Sequence, residues 1–173
     1  MFSKRKLVFF IAGSALLMFF GYINNIKETS EFQPARLLDF NDAINIFLLN
    51  MTVSVFWILL SVTGLSIPFI AKFIYGIGQA GSLSENPASY YLSSLTHGIG
   101  ELIVCYIIAD FSIKHLYILF LLITDKVTSE KLKAFYVHTI KKTLPLCMVL
   151  LFISSLLEVY LSNRIYYHLT IGI

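Results

Sequence analysis

Leu7-Val8-Phe9-Phe10-Ile11-Ala12-Gly13-Ser14-Ala15-Leu16-Leu17-Met18-Phe19-Phe20-Gly21-Tyr22-Ile23 carries no charge, and Lys4-Arg5-Lys6 stands directly before it. A bilayer core accepts about 20 predominantly apolar residues in a helix, with roughly 17–25 tolerated. The stretch therefore reads as a helix in lipid. Its basic flank imitates a signal peptide, but no small-x-small cleavage site follows, only Gly21-Tyr22-Ile23-Asn24-Asn25. An uncleaved first transmembrane helix is expected, emptying into a polar stretch that contains Lys27 and closes at Pro34.

Further along, Leu37, Phe40, Ile44 and Phe47 recur at helical spacing among Arg36, Asp39, Asn41 and Asp42. They form an amphipathic lead-in to a second apolar run, 44–64, so one helix that lies on the surface before it dives is expected. Gly64 and Pro68 punctuate the chain before a short third segment, 67–82, of about 24 Å at 1.5 Å per residue. A re-entrant hairpin is the alternative to a span there. A Ser-rich polar loop over 82–96 holds Asn86-Pro87 and the pair Tyr90-Tyr91, an interfacial anchor. The fourth run, 98–123, is about 39 Å long as a helix and calls for strong tilt or a break near Asp110–Lys114. From Lys126 to Thr143, Leu132, Phe135, Tyr136 and Ile140 share a face opposed to Lys131, Lys133, Lys141 and Lys142, the pattern of a basic amphipathic helix on a membrane surface. The last run, 144–162, is led by Pro145.

Composition agrees with these segments. Only 13% of the 173 residues are charged and 57% are hydrophobic, where soluble domains carry roughly 25% charge. The expectation is an all-α, multi-pass transmembrane helical bundle: one integral membrane domain, 1–173, of about five spans with amphipathic interfacial helices. Net charge is +3 and the bases are scattered, which excludes a nucleic-acid partner and leaves membrane lipid as the first one. Cys105 and Cys147 lie within apolar runs without CxxC or Cys/His spacing, so no metal is expected. With the N-terminus cytoplasmic and five spans, the inner side holds Lys4, Arg5, Lys6, Lys126, Lys131, Lys133, Lys141 and Lys142. The outer side holds Lys27, Arg36 and Arg164. That asymmetry places the C-terminus outside the cell membrane.

Ionisable residues inside spans mark function or structural pairing, because isolated charge is costly in hydrocarbon. Lys114 apart, four charges stand there: Lys72, Glu101, Asp110 and Glu158. Counting depth along each span places Lys72 and Asp110 in the inner half of the bilayer, as a pair that neutralises itself. Glu101 and Glu158 meet in the outer leaflet. His97 is four residues from Glu101 and so shares its helical face, which makes His97, Glu101 and Glu158 a cluster able to hold a proton, a cation or a polar partner group. Helix capping and interhelical hydrogen bonds explain the same three residues. Gly76, Gly78 and Gly81 permit close helix packing. Asn50-Met51-Thr52 matches a glycosylation sequon but lies inside a span and is discounted.

HExxH, GxSxG, a P-loop and a dinucleotide fingerprint are all missing. No catalytic residue and no cofactor is expected. An intramembrane hydrolase with Glu101 as general base is the one enzymatic reading the residues leave open.

Leu95-Thr96-His97-Gly98-Ile99-Gly100-Glu101-Leu102, followed by Tyr106-Ile107-Ile108-Ala109, resembles the His-Gly-x-x-Glu-Leu signature of the stage II sporulation protein M family. The early span, the entry into Phe47-Leu48-Leu49-Asn50, the Gly-rich third segment and the acidic Leu157-Glu158 follow in the same order. The chain departs from the family at Ile103, where Pro is common, at Asp110, where small residues are usual, and near Lys72, where Asn-Gly is usual. The resemblance implies a non-enzymatic membrane scaffold or accessory subunit of a bacterial cell envelope complex. It implies partners among other membrane proteins, either a wall-hydrolase complex during sporulation or ABC transporter subunits in bacteriocin export and self-immunity, with a homo-oligomer left open. The site residues it carries over are His97, Gly98, Glu101 and Glu158.

Overall fold

In lipid no water is present to satisfy exposed backbone N–H and C=O groups, so an apolar run closes its hydrogen bonds within itself as a helix. The structure, a computed structural model, describes residues 4–24, 36–84 and 86–170; the expected polar stretch with Lys27 and Pro34 lies outside the described residues. Every regular element among the described residues is helical: α1 (Lys4–Ile23), α2 (Phe40–Leu60), α3 (Ser66–Leu83), α4 (Pro87–Ile123), α5 (Ser129–His138), α6 (Leu144–Leu157) and α7 (Asn163–Thr170). The last three join through two π-helical turns, Thr139–Thr143 and Glu158–Ser162, into one continuous helix. Among the described residues, four helices are long and apolar enough to cross a membrane: Lys4–Ile23, Phe40–Leu60, Pro87–Ile123 and Ser129–Leu169.

α3 is not among those four, yet it is a single 18-residue helix of about 27 Å and not a re-entrant pair. One end sits at the turn from α2, where Ser61 Oγ donates to Ser66 Oγ at 3.1 Å. The other end meets the start of α4, where Tyr91 Oη donates to the Gly78 carbonyl. Gly64, at φ +80°, supplies the left-handed residue that the α2–α3 turn needs.

Residue pairings give the directions. Lys6 meets Asp110 and Phe10 meets Tyr106, so α1 runs opposite to α4. Asn50 meets Glu101 and Ser61 meets Ser112, so α2 runs with α4. Thr96 and Gly100 meet Ser162 and Ser154, so α6 runs opposite. α4 is the central post. Val104, Cys105, Tyr106, Ile107 and Ile108 are all buried in succession, which a helix achieves only when neighbours surround it. Trp57, Ile70, Ile74, Cys147 and Leu151 close the core around it.

Three local expectations change, and one stated alternative is decided. Residues 36–39 are not helical; α2 starts at Phe40 behind a capping box in which Asp39 and Asp42 each accept the other's backbone N–H. Arg36 forks onto both oxygens of Asp42 at 2.9 and 2.6 Å, which secures that start. The Ser-rich 82–96 loop is largely the first turns of α4. Asn86 is its N-cap, accepting from Ser89 N at 3.1 Å, and Pro87 stands in the first turn where its missing N–H costs nothing. The hydroxyls of Ser93 and Thr96 bond carbonyls three residues back, so they sit in the helix with their polar groups satisfied.

α4 then runs 37 residues, about 55 Å, with no break at Asp110–Lys114. The basic stretch 126–143 is likewise no separate surface helix. It rises straight into the last span, with Phe135 stacked on Phe111 at 5.0 Å and Tyr136 Oη 3.0 Å from His115 Nδ1. Of its expected apolar face, Leu132, Phe135 and Tyr136 are half-buried while Ile140 is exposed. The π turn at Thr139–Thr143 has a cause in sequence. Pro145 lacks an N–H and its ring crowds the carbonyl four residues back, and the wider turn, closed by Leu144 N to Thr139 O, relieves both.

Candidate polar site between α2, α4 and the last helix

Polar side chains in a lipid-embedded bundle need partners on neighbouring helices, and α4 supplies most of them over one two-turn stretch. Asn50 of α2 donates its amide to Glu101 Oε1 at 2.7 Å. His97 Nδ1 lies 2.8 Å from Ser162 Oγ, which is also hydrogen-bonded to Thr96 Oγ1. Glu158 begins the second π turn and lines a cavity of about 500 Å³ with His97, Tyr90, Ser93, Ser162 and Asn163. Glu101 lines a neighbouring cavity that shares His97 and Tyr90 with the first. At the cavity's edge Asn163 Oδ1 accepts from Leu38 N at 2.9 Å and its amide donates to the Arg36 carbonyl at 3.1 Å, clasping the entry to α2.

His97, Glu101 and Glu158 are therefore brought into one neighbourhood, but His97 and Glu101 turn to different partners. Gly98 has no packing role: a Cβ there would meet nothing within 4 Å, and the residue faces a second cavity of about 250 Å³. Gly100 is the position where α4 approaches the last helix, since an added Cβ would strike Ser154 Oγ.

Lys72 and Asp110 do not form the expected pair. Asp110, its side chain 8% exposed, accepts from Lys6 Nζ at 3.1 Å and also pairs with Lys114 one turn on. Lys72 is exposed on α3 beside an open groove lined by Trp57, Phe69 and Phe73. The depth count that matched Lys72 with Asp110 used only rise per residue; it carried no information on which face of α3 the lysine occupies.

Sequence reasoning passed over Asn50, Thr96, Ser162 and Asn163. A signal for one of them was present, because Ser154, Glu158 and Ser162 recur every four residues in an otherwise apolar run. Asn50 was set aside as a sequon when its meaning was a hydrogen bond to Glu101.

Chemically the site can hold polar groups between helices and admit a polar or cationic guest. The Ser162–His97 contact has the reach of a nucleophile and its base. Ser162 is 3% exposed, however, and its oxygen is shared with Thr96, so it is occupied in packing. Among the described residues no group of three His, Cys, Asp or Glu side chains is placed to hold a metal ion. No family model, curated protein or solved structure matches the chain.

Proposed function

We propose that the chain is a non-enzymatic multi-pass scaffold or accessory subunit of a bacterial envelope complex, similar to the stage II sporulation protein M family. The supporting observation is that the polar residues of the site tie helices together. Asn50–Glu101 joins α2 to α4, and Thr96 and His97 both bind Ser162. The motif His97-Gly98-Ile99-Gly100-Glu101-Leu102 supports the family reading. The partners in this reading are membrane-anchored wall hydrolases.

The cavity of about 500 Å³, lined in part by His97, Glu158 and Asn163, favours a second reading, an accessory or transporter-like subunit in ABC-dependent bacteriocin or peptide export. One pair of measurements separates them. In the scaffold reading, Glu101→Gln with Glu158→Gln strips co-purifying envelope proteins from the tagged chain, and vesicles holding the wild-type chain alone show no proton or peptide flux. Substrate-dependent flux in those vesicles would move the assignment to transport.

In this reading the protein lies in the bacterial cell membrane with its N-terminus cytoplasmic, because Lys4, Arg5 and Lys6 share an end of the bundle with α5 and its lysines. Ser84 and Ser129 stand at opposite ends of the bundle, and the native cysteines are buried. A membrane-impermeant maleimide added to intact cells is expected to label Ser84→Cys and spare Ser129→Cys. The reverse pattern would invert the topology.

A further inference from the structure

At the end of the bundle opposite the polar site, a cavity of about 240 Å³ opens between α4 and the first π turn. Its polar lining includes Asp110, Lys114, His138 and Lys142, and its walls include the rings of Phe111 and Phe135. One carboxylate here faces more than one ammonium. Asp110 is already bonded by Lys6 and Lys114, and Lys142 adds a further positive charge at the rim, so the site carries an excess of positive charge. The π turn that relieves Pro145 holds Lys142, and Leu146, a cavity wall, is exposed toward the bundle's outer surface.

Depth identifies the kind of anion. From Tyr91 to Asp110 and Lys114 along unbroken α4 is about 28–35 Å at 1.5 Å per residue, the thickness of a bilayer's hydrocarbon core. Lys6, which bonds Asp110, belongs to the Lys4-Arg5-Lys6 flank of the first span, and such basic flanks sit among the headgroups, so the cavity falls at that level. A cationic recess with apolar walls at that depth matches a phosphate that carries acyl chains.

We propose that this cavity binds the phosphate headgroup of an anionic phospholipid, held by Lys114 and Lys142 with its chains descending past Leu146. Basic pockets between membrane helices take such headgroups, and each lysine near an anionic lipid surface is worth about a fivefold change in affinity.

The test reconstitutes the full chain into nanodiscs of equal phosphatidylglycerol and phosphatidylcholine and reads retained lipid by native mass spectrometry. Wild type retains phosphatidylglycerol preferentially. Lys142→Gln lowers that preference about fivefold, Lys142→Arg keeps it, and Lys131→Gln, an exposed lysine outside the cavity, leaves it unchanged. Equal retention of the two lipids by wild type, or the same fall in Lys131→Gln as in Lys142→Gln, would overturn the proposal in favour of diffuse attraction. Release of the retained phosphatidylglycerol by excess inorganic phosphate would make free phosphate the ligand and remove the lipid assignment.

Discussion

Gly78→Val is expected to separate α1 from α3 and to destabilise the bundle by about 3 kcal/mol, the upper part of the range for overpacking. The two helices run in the same direction and touch backbone to backbone. A Cβ on Gly78 would overlap the Met18 main chain, and one on Gly21 would overlap the Tyr75 carbonyl. Main chain cannot swing aside as a side-chain tip does, so the helices must move apart. In lipid, apolar helices gain little from leaving the solvent, and close packing supplies most of their association. Widening this seam therefore removes what holds α3, the least lipid-suited of the long helices. Trp57, the only tryptophan, is buried against Phe73 of α3 at 5.4 Å and reports the event by fluorescence during SDS titration. Gly76→Val is the control, since a Cβ there meets nothing within 4 Å. Equal midpoints for the two variants would show that the close approach does not carry the stability assigned to it.

The features legible in sequence were those that depend on the chain's solvent and local period. Runs 7–23, 44–64 and 144–162 announced helices in lipid because an apolar run of that length, with Glu158 the one charge among the three, closes its backbone hydrogen bonds within itself. Gly64 announced a turn and occupies a left-handed conformation. The start of α4 was misread because Asn-Pro followed by serines fits a loop as well as an N-cap and first turn. The decision lay in the Asn86 to Ser89 bond and in serine hydroxyls turned back onto their own helix. At the site, His97, Glu101 and Glu158 could be found because charge is rare in a span. Their partners Asn50 and Ser162 could not be assigned, because which faces of α2 and the last helix meet α4 is a matter of tertiary packing. The same gap explains Lys72. Depth along a helix follows from counting residues, but azimuth depends on the neighbours, and Asp110 chose Lys6 from the first six residues over a lysine at matching depth.

That choice leads to the second large effect. Lys6→Met and Lys114→Met are each expected to cost little alone, whereas the double variant is expected to lose about 2 kcal/mol beyond their sum. Asp110 holds both ammoniums, and removing one leaves the other in place. Removing both leaves a carboxylate 8% exposed with neither of its cations. Stranding one member of a fully buried pair costs about 3–5 kcal/mol, and the figure is reduced here because both lysines are about half exposed to begin with. The loss should be specific to charge. Asp110→Asn on the double-variant background leaves no stranded ion and keeps nearly the same volume, so it is expected to restore most of the stability. The measurement is a double-mutant cycle on the SDS midpoint read by Trp57, with the Asn rescue added as a fifth protein. Additive effects of the two methionines, or a rescue that fails, would mean that the pairing does not hold α1 against α4. The apolar contact of Phe10 with Tyr106 one turn away would then be what docks the N-terminal helix.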